Sequence, residues 1–312
     1  MRIECERLAN GGRLEWNLGD GAAVPDRCLT QVIFGRGRGC VLKCRTLAAT
    51  ILLPLRGRLH VADGDSTRTL QRGQLWVAEG GQRLHAIGRG AALWIAISVS
   101  ATGWRDLIEG DDDVADPLLL PALHVADKAV RHACIDVARV ALAPGLDRGA
   151  ETALLAFASR IAELQAAFAP LIDRCGGRTL AQRRSVFLRL QRVRNYMTSN
   201  CHLDLDIGGF ARMASYSPCH FIRAFSAVYG ETPHAVLVEQ RLERARRLLD
   251  DSAMAITEIA RASGFENRCA FARSFKRHFG LSATDLREAG RVAGASSARS
   301  KPRAAPRERV LA

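Results

Sequence analysis

The sequence lacks the features that mark membrane proteins and disulfide-stabilised secreted proteins. No stretch of it approaches the ~18 uninterrupted apolar residues that a membrane-spanning helix requires. The first residues, MRIECERLAN, contain no apolar core of a signal peptide. Nine cysteines, an odd number without a Cys-x-x-Cys pair, fit a reducing compartment better than a disulfide framework. We therefore expect a cytoplasmic protein without a membrane partner.

Positive charge is in excess, and it is unevenly placed along the chain. The length of 312 residues suggests two domains, and a hydrophobic content of 48% is ample for two cores. Residues 183–312 carry 23 Lys and Arg against 12 Asp and Glu, a surplus of 11. Residues 1–182 carry 22 against 20, a surplus of 2. A basic surplus concentrated in one half of the chain is what phosphate binding requires.

The strongest pattern in the basic half is an internal repeat. SPCHFIRAFSAVYG at 217–230 returns as NRCAFARSFKRHFG at 267–280, and five of the fourteen positions are identical. The identical positions are Cys219/Cys269, Phe221/Phe271, Arg223/Arg273, Phe225/Phe275 and Gly230/Gly280. The repeat extends upstream, where 206–217 resembles 256–267. An internal repeat indicates that the same structural unit occurs twice in the chain, before any single residue is assigned a function.

Each copy of the repeat predicts two short helices joined by a tight turn. In the first copy Asp206 and Ser217 are good helix N-caps, and Gly230 ends the second helix. Phe221 and Phe225, four residues apart, mark the buried face, and the arginine between them points away from it. A second helix that exposes arginine is typical of a helix-turn-helix, in which that helix enters the DNA major groove. A helical bundle with a solvated basic face is the alternative, and the second copy favours DNA binding.

Residues 186–287 resemble the DNA-binding domain of the AraC/XylS transcription regulators. The matching segments are SPCHFIRAF at 217–225, the connector TPHAVLVEQRLERARRLL at 232–249 and ITEIARASGFENRCAFARSFKRHFG at 256–280. The resemblance implies an all-α domain with two helix-turn-helix units, at about 206–229 and 256–279. It further implies that the two recognition helices enter successive major grooves on one face of double-stranded DNA.

The resemblance also implies which side chains read bases. By position they are Cys219, Ile222 and Arg223 in the first recognition helix and Arg268, Cys269, Ala272 and Arg273 in the second. The sequence departs from the family pattern at Ser215, where a turn glycine is usual, and at Ala255, where a capping serine is usual. Because Cys219 and Ile222 cannot make bidentate polar contacts, we expect the first helix to read by apolar contact and Arg223.

Residues 28–99 predict many short strands. Seven strand-like segments alternate there with turns rich in Gly, Asp and Ser, a pattern typical of an antiparallel sandwich or barrel. RGQLWVAEGGQRLH at 72–85 is similar to a cupin motif, so the resemblance implies a cupin-like domain that senses a small-molecule effector. Trp76 and Trp94 are candidates for lining its pocket, although core packing is the commoner role of a strand tryptophan.

Metal, cofactor and redox chemistry are not expected in this half. The His-x-His of a cupin metal site is absent, which leaves His60, His85 and Glu79 where three or four converging ligands are needed. Cys40 and Cys44 on one strand would lie roughly 13 Å apart. A disulfide needs a Cα separation under ~7 Å, so a thiol switch is disfavoured.

After residue 125 the apolar residues recur at the spacing of a helix and no longer in strand-like segments. One helix is marked by Val130, Ala133, Cys134, Val137 and Ala141. The next carries an a/d stripe of Leu154, Phe157, Ile161, Leu164 and Phe168. Two heptads form a dimer seam only with support from a domain, and we expect a homodimer through this stripe. Packing of the stripe on its own β-domain is the alternative.

Together these patterns predict an α+β chain of two domains. Its parts are a β-rich cupin-like sensor domain at 1–125, a helical dimerisation region and hinge at 126–182, a DNA-binding domain at 183–289 and a disordered basic tail at 290–312. We expect an effector-responsive, sequence-specific transcription regulator with no enzymatic activity, and RNA polymerase is a further candidate partner. An architectural DNA binder without a ligand and a cupin-type enzyme fused to a DNA-binding domain are the alternatives. A DNA-repair alkyltransferase is disfavoured, because its Pro-Cys-His-Arg nucleophile motif is absent.

Overall fold

The computed structural model describes residues 2–17, 29–45, 49–99, 103–104, 107, 119–142 and 149–289. The tail at 290–312, for which the sequence predicts disorder, lies outside the described residues. By compactness the chain divides into two units. The first unit comprises residues 1–200 and 206–233, and the second comprises 201–205 and 234–312. The helix pair of the first repeat copy therefore belongs to the same unit as the strands, while the domain boundaries drawn from the sequence stay predictions.

The β-rich part of the first unit is a single sheet, which has nine strands within the described residues. The strands are β1 Arg2–Leu8, β2 Arg13–Asn17, β3 Leu29–Gly37, β4 Val41–Arg45, β5 Ala49–Asp63, β6 Ser66–Gln71, β7 Gln74–Ala78, β8 Arg83–Val99 and β9 Ala122–Val125. The sheet runs in the order β1-β3-β8-β5-β7-β9, with β2 on β4, β4 on β8 and β6 on β5. Its two long strands, β5 and β8, pair with different neighbours at their two ends. Register shifts between Pro54 and Arg58 mark where β5 departs from regular pairing, as at a β-bulge.

The predicted strands from residue 28 to 99 are present, and the last two predicted segments form one strand, β8. The sheet is not wholly antiparallel, because β1 pairs with β3 and β2 pairs with β4 in parallel. Sequence reasoning missed β1, β2 and β9. β1 is an edge strand in which charged residues interrupt the apolar alternation, and β9 has four residues, too few for a period of two to be recognised.

Alternate residues of β5 and β8 serve two different hydrophobic cores. Ile51 and Ile97 belong to the core that the helices cover, whereas Leu52 and Trp94 belong to the core on the opposite side of the strands. Trp94 lies so close to Gly35 that a Cβ there would be 2.0 Å from the indole. Only glycine fits beneath this ring. Trp94 thus packs in the core, and so does Trp76, which is 1% exposed.

Within the described residues, six helices of five or more residues follow or cover the strands of the first unit. They are α1 Lys128–Ala141, α2 Ala150–Ala166, α3 Ala169–Asp173, α4 Leu180–Asn200, α5 Ile207–Met213 and α6 Pro218–Tyr229. α1 buries the residues that its sequence spacing predicts, from Val130 to Ala141. Its N-cap is Asp127, whose carboxylate accepts a hydrogen bond from the Val130 amide at 2.8 Å.

The apolar stripe of α2 faces the β-sheet of its own chain. Leu154, Phe157 and Ile161 are at most 1% exposed, and they pack in one cluster with sheet residues such as Ile51 and Ile97. The interpretation of this stripe as a dimer seam is therefore wrong. One face of the sheet presents apolar side chains that must be buried against another element of the fold. The stripe of α2 buries them.

Helix α4 attaches the first helix pair to the sheet. The amides of Gln191 and Asn195 donate to the Pro121 carbonyl at 3.2 and 2.8 Å. The Tyr229 hydroxyl, at the end of α6, donates to Gln191 Oε1 at 2.9 Å. Gln191 is 4% exposed, so these bonds satisfy a buried polar side chain. The sheet, α4 and α6 are thus joined through one amide group.

The second unit contains α7 Pro233–Asp251, α8 Ile256–Ala262 and α9 Arg268–Phe279. The connector predicted as one helix is α7. Phe271 and Phe275 of α9 are buried among Leu242 of α7 and Ile259 of α8. Arg241 of α7 closes the unit by donating to the carbonyls of Cys201 and Leu203 at 2.8 and 3.1 Å. None of the helices in the described part of the chain is long and apolar enough to cross a membrane.

Candidate nucleic-acid interface

The first helix pair, α5 and α6, is defined by caps at each end. Asp206 accepts a hydrogen bond from the Gly209 amide at 2.7 Å, which begins α5. Ser217 accepts from the His220 amide at 3.4 Å and begins α6, and Gly230 ends it with a φ of 76°. These are the three boundaries that the sequence predicts.

The second helix pair, α8 and α9, has the same plan with different caps. Ala255 cannot cap through its side chain, and instead the Glu258 carboxylate accepts from the Ala255 amide at 2.8 Å. Asn267 accepts from the amides of Cys269 and Ala270 at 2.8 and 3.2 Å. Gly280 ends α9 with a φ of 77°. The Glu258 carboxylate thus satisfies the amide of residue 255, while the side-chain acceptor that a serine would supply to the first turn of α8 is absent.

The turns between the helices differ in one important residue. Gly264 takes a φ of 90° in the second turn, and Ser215 takes a φ of 58° in the first. Ser215 is the sole non-glycine residue with a positive φ in the described part of the chain. A side chain in this left-handed region costs roughly 1–2 kcal/mol relative to the right-handed helix. The departure from a turn glycine is therefore tolerated, at the expense of local strain.

The second helix of each pair, α6 or α9, buries side chains at the same two positions. This determines which of its other side chains are exposed. Phe221 and Phe225 in α6, and Phe271 and Phe275 in α9, are each at most 1% exposed. Because residues four apart share one face of a helix, burying these rings turns the intervening residues outward. Each second helix consequently presents its arginine, Arg223 or Arg273, at the same position of an exposed face.

All seven residues predicted to read bases are exposed. They are Cys219, Ile222 and Arg223 on α6 and Arg268, Cys269, Ala272 and Arg273 on α9. Ile222 is 37% exposed, so its aliphatic side chain lies at the surface and not in the core. Each helix gathers its own group on one face, so the first offers one cation with an apolar neighbour and the second offers two cations.

The arginines of this region fall into two kinds. Arg244 donates to the Ala262 carbonyl at 2.9 Å, and Arg241 bonds two carbonyls, so both stabilise the second unit. Among the described residues, Arg223, Arg268 and Arg273 have no ion pair or hydrogen bond of their own. Guanidinium groups without a protein partner are available to a ligand. Their paired N–H donors match the acceptors of a phosphate or of the guanine edge in the major groove.

A stack beside α6 adds a cation that sequence reasoning missed. The rings of Tyr216 and His220 stack with centroids 4.5 Å apart. The Arg189 guanidinium lies 4.8 Å from the Tyr216 centroid and donates to its hydroxyl at 3.2 Å. Arg189 is 27 residues from Tyr216, and no local pattern connects them. The stack places an imidazole and a guanidinium next to the start of α6.

The polar groups considered for metal binding do not converge. His60 Nδ1 lies 3.0 Å from Thr69 Oγ1, and Glu79 pairs with Arg192. Within the described residues no group of three or more His, Cys, Asp or Glu is arranged to hold a metal ion. Cys40 and Cys44 are free and buried, and burial raises the pKa of Cys44 to about 12. A thiol with so high a pKa is a poor nucleophile.

Comparison with known proteins finds matches over the part of the chain that contains these helix pairs. Residues 210–289 match the family described as a helix-turn-helix domain. The MmsAB operon regulatory protein of Pseudomonas aeruginosa is 29% identical over 101 residues, which cover 32% of this chain and 33% of that protein. The HTH-type transcriptional regulator GlxA of Rhizobium meliloti is 41% identical over 83 residues, or 27% of this chain and 26% of that protein.

Among solved structures, the DNA-binding domain of AdpA in complex with a target DNA shares 30% sequence identity. It covers 34% of this chain and 95% of that chain, with a TM-score of 0.33. The chain thus spans about a third or less of the two curated relatives named here. Residues 210–289 of the chain thus match a helix-turn-helix domain. The resemblance to the AraC/XylS regulators is confirmed over that part.

Proposed function

We propose that the protein is a sequence-specific transcription regulator in which both helix pairs are helix-turn-helix readers of double-stranded DNA. The observation that carries the proposal is the equivalence of α6 and α9. Each buries two phenylalanines and exposes an arginine at the same position, Arg223 or Arg273. Two helices with one plan and different exposed side chains suit two different short DNA boxes.

In this proposal the bases are read by the seven exposed side chains that the sequence singles out. Arg223, Arg268 and Arg273 bond guanine edges in the major groove, and Ile222 contacts the thymine methyl group. Cys219, Cys269 and Ala272 complete the two surfaces. We assign His220 and Arg189, which both contact Tyr216 next to the start of α6, to phosphate contacts that position the helix without reading sequence.

The β-rich part has the role of sensor in this proposal. Its folded sheet is the cupin-like domain inferred from the sequence, and it answers a small-molecule effector in the cytoplasm. The regulator acts on RNA polymerase as a homodimer. Because α2 is occupied by its own sheet, the dimer contact lies outside the buried stripe of Leu154, Phe157 and Ile161.

The test is binding of the full-length protein to a selected operator fragment at several salt concentrations. Residues 183–289 carry 17 Lys and Arg against 11 Asp and Glu, a surplus of 6. Each phosphate that is neutralised adds ~0.9 to the slope of log affinity against log salt. We expect steep salt dependence on both specific and random DNA, with an added sequence preference. A flat salt response, or equal affinity for the two DNAs, would contradict the proposal.

A further inference from the structure

Side chains of α3 and α4 hold the last turn of α6, at the end of the helix opposite to the residues proposed to read bases. The Arg174 guanidinium of α3 donates to the Val228 carbonyl at 3.2 Å. The Arg194 guanidinium of α4 lies 4.7 Å from the centroid of the Tyr229 ring. The Tyr229 hydroxyl donates to Gln191 Oε1 of α4 at 2.9 Å. Three side chains from two helices therefore contact this single turn.

Gln191 differs from the two arginines because its amide is also bonded to the segment that leads into β9. Its Nε2 donates to the Pro121 carbonyl at 3.2 Å, and Asn195 Nδ2 donates to the same carbonyl at 2.8 Å. Because a carbonyl oxygen can only accept, the amide of Gln191 has one suitable orientation, which leaves Oε1 for Tyr229. Burial raises the pKa of Tyr229, so its hydroxyl keeps the proton that it donates. Both ends of the Gln191 amide are thus used.

The position of this last turn affects where the first half of α6 lies. The Tyr229 ring packs on Phe225 with centroids 4.6 Å apart, and Phe225 packs on Phe221 at 5.5 Å. A helix of 12 residues is a rod about 18 Å long, so a rotation at its last turn displaces the side chains near its start. Hydrogen bonds weaken steeply with distance and angle, and a displacement of about 1 Å is enough to impair a base contact.

We propose that Gln191 is a positioning residue for DNA reading, which holds the last turn of α6 in the orientation that aligns its exposed face with one DNA box. This inference rests on the proposed function, in which α6 and α9 read different boxes. Gln191 and Tyr229 lie in the first unit, whereas α9 belongs to the second. Loss of the bond lets α6 populate other orientations, and specific affinity falls with the fraction that stays competent. One neutral hydrogen bond changes such a fraction about 2- to 10-fold.

The test compares full-length variants on three duplexes, which are the selected operator, the operator with the α6 box scrambled and the operator with the α9 box scrambled. The α6 box is the one in which Arg223→Ala loses sequence preference. In the wild type, scrambling either box should lower affinity. In Gln191→Leu the loss on scrambling the α6 box should be about 2- to 10-fold smaller, and the loss on scrambling the α9 box should be unchanged. Tyr229→Phe should behave alike, and the double variant should match Gln191→Leu, since both residues act through one bond.

Ser98→Ala is the matched control, because it removes a buried hydrogen bond, to Thr50 at 2.6 Å, from the interior of the sheet. A general loss of stability lowers affinity for all three duplexes alike, so this variant should keep both scrambling losses of the wild type. An unchanged α6-box loss in Gln191→Leu, or an equal reduction for both boxes, would overturn the positioning role.

If Gln191→Leu does not fold, Tyr229→Phe, which removes a single oxygen, decides by the same criteria. Additive effects of Gln191→Leu and Tyr229→Phe in the double variant would also overturn the inference, since they would show that Gln191 does not act through Tyr229. A wild type that tolerates scrambling of either box would refute the proposed function, and this inference with it.

Discussion

The equivalent arginines of α6 and α9 give the sharpest test of the proposed function. Replacing Arg223 or Arg273 by alanine removes an exposed side chain that has no partner among the described residues, so the fold should be unaffected. A bidentate contact to guanine contributes about 1–3 kcal/mol of discrimination. Each variant should therefore lose roughly 5- to 150-fold in affinity for the selected operator, since 1.4 kcal/mol corresponds to about tenfold.

The assay is fluorescence anisotropy with the full chain on operator DNA and on a scrambled duplex, at one salt concentration. Each alanine variant should lose far more affinity for the operator than for the scrambled duplex. Arg273→Lys keeps the charge and loses the fork, so it should retain scrambled-DNA binding and still lose operator affinity. Arg247→Ala is the matched control, because it removes one exposed charge from α7, which carries none of the seven residues proposed to read bases. Equal losses on both duplexes for Arg273→Ala would refute base reading and assign that arginine to phosphate.

Three further predictions concern stability, measured by urea unfolding. Ser215→Gly should stabilise the chain by up to about 1 kcal/mol by relieving the positive φ, whereas Gly264→Ala should destabilise it, because its Cβ would lie 2.7 Å from the Cys201 carbonyl. A stabilised Gly264→Ala would contradict this geometry. Because burial raises the pKa of Asp63 to about 6, the folded chain binds its proton more tightly than the unfolded chain. The free energy of unfolding due to Asp63 should thus fall as pH rises from about 4 to about 6, by up to about 2–3 kcal/mol, and Asp63→Asn should abolish that fall. An unchanged pH profile in Asp63→Asn would place the titration elsewhere. Ile161→Ala should destabilise the chain by about 2–5 kcal/mol without changing the oligomeric state seen in sedimentation, since its side chain is buried within the chain. A shift towards monomer in this folded variant would restore α2 as the dimer contact.

The helix pairs were predictable because the residues that define them lie close together in the sequence and occur in both copies of the repeat. Caps such as Ser217 and Asn267 bond amides two or three residues away, and each phenylalanine pair repeats at a helical spacing. The exposed position of Arg223 and Arg273 follows directly from those buried rings. Even the departure at Ser215 could be recognised in advance, since the pattern of the AraC/XylS resemblance has a glycine in that turn.

What could not be predicted depends on contacts between distant parts of the chain. The stripe of α2 has the same spacing whether it covers a sheet or a second subunit, and only the apolar face that includes Ile51 and Ile97 decides between them. Likewise, Arg189 lies 27 residues from Tyr216, and Arg192 lies 113 residues from Glu79. No periodicity connects such pairs. The stack of Arg189, Tyr216 and His220 and the ion pair of Arg192 with Glu79 were therefore found only in the structure.

The most direct test of two-box reading is footprinting of the full chain on a selected operator. The two exposed faces differ, with Cys219, Ile222 and Arg223 on α6 and Arg268, Cys269, Ala272 and Arg273 on α9. We expect one subunit to protect two unlike boxes. Arg223→Ala should lose sequence preference in one box, and Arg273→Ala should lose it in the other. A single protected box, or both variants weakening the same box, would contradict the claim that each copy of the repeat reads DNA.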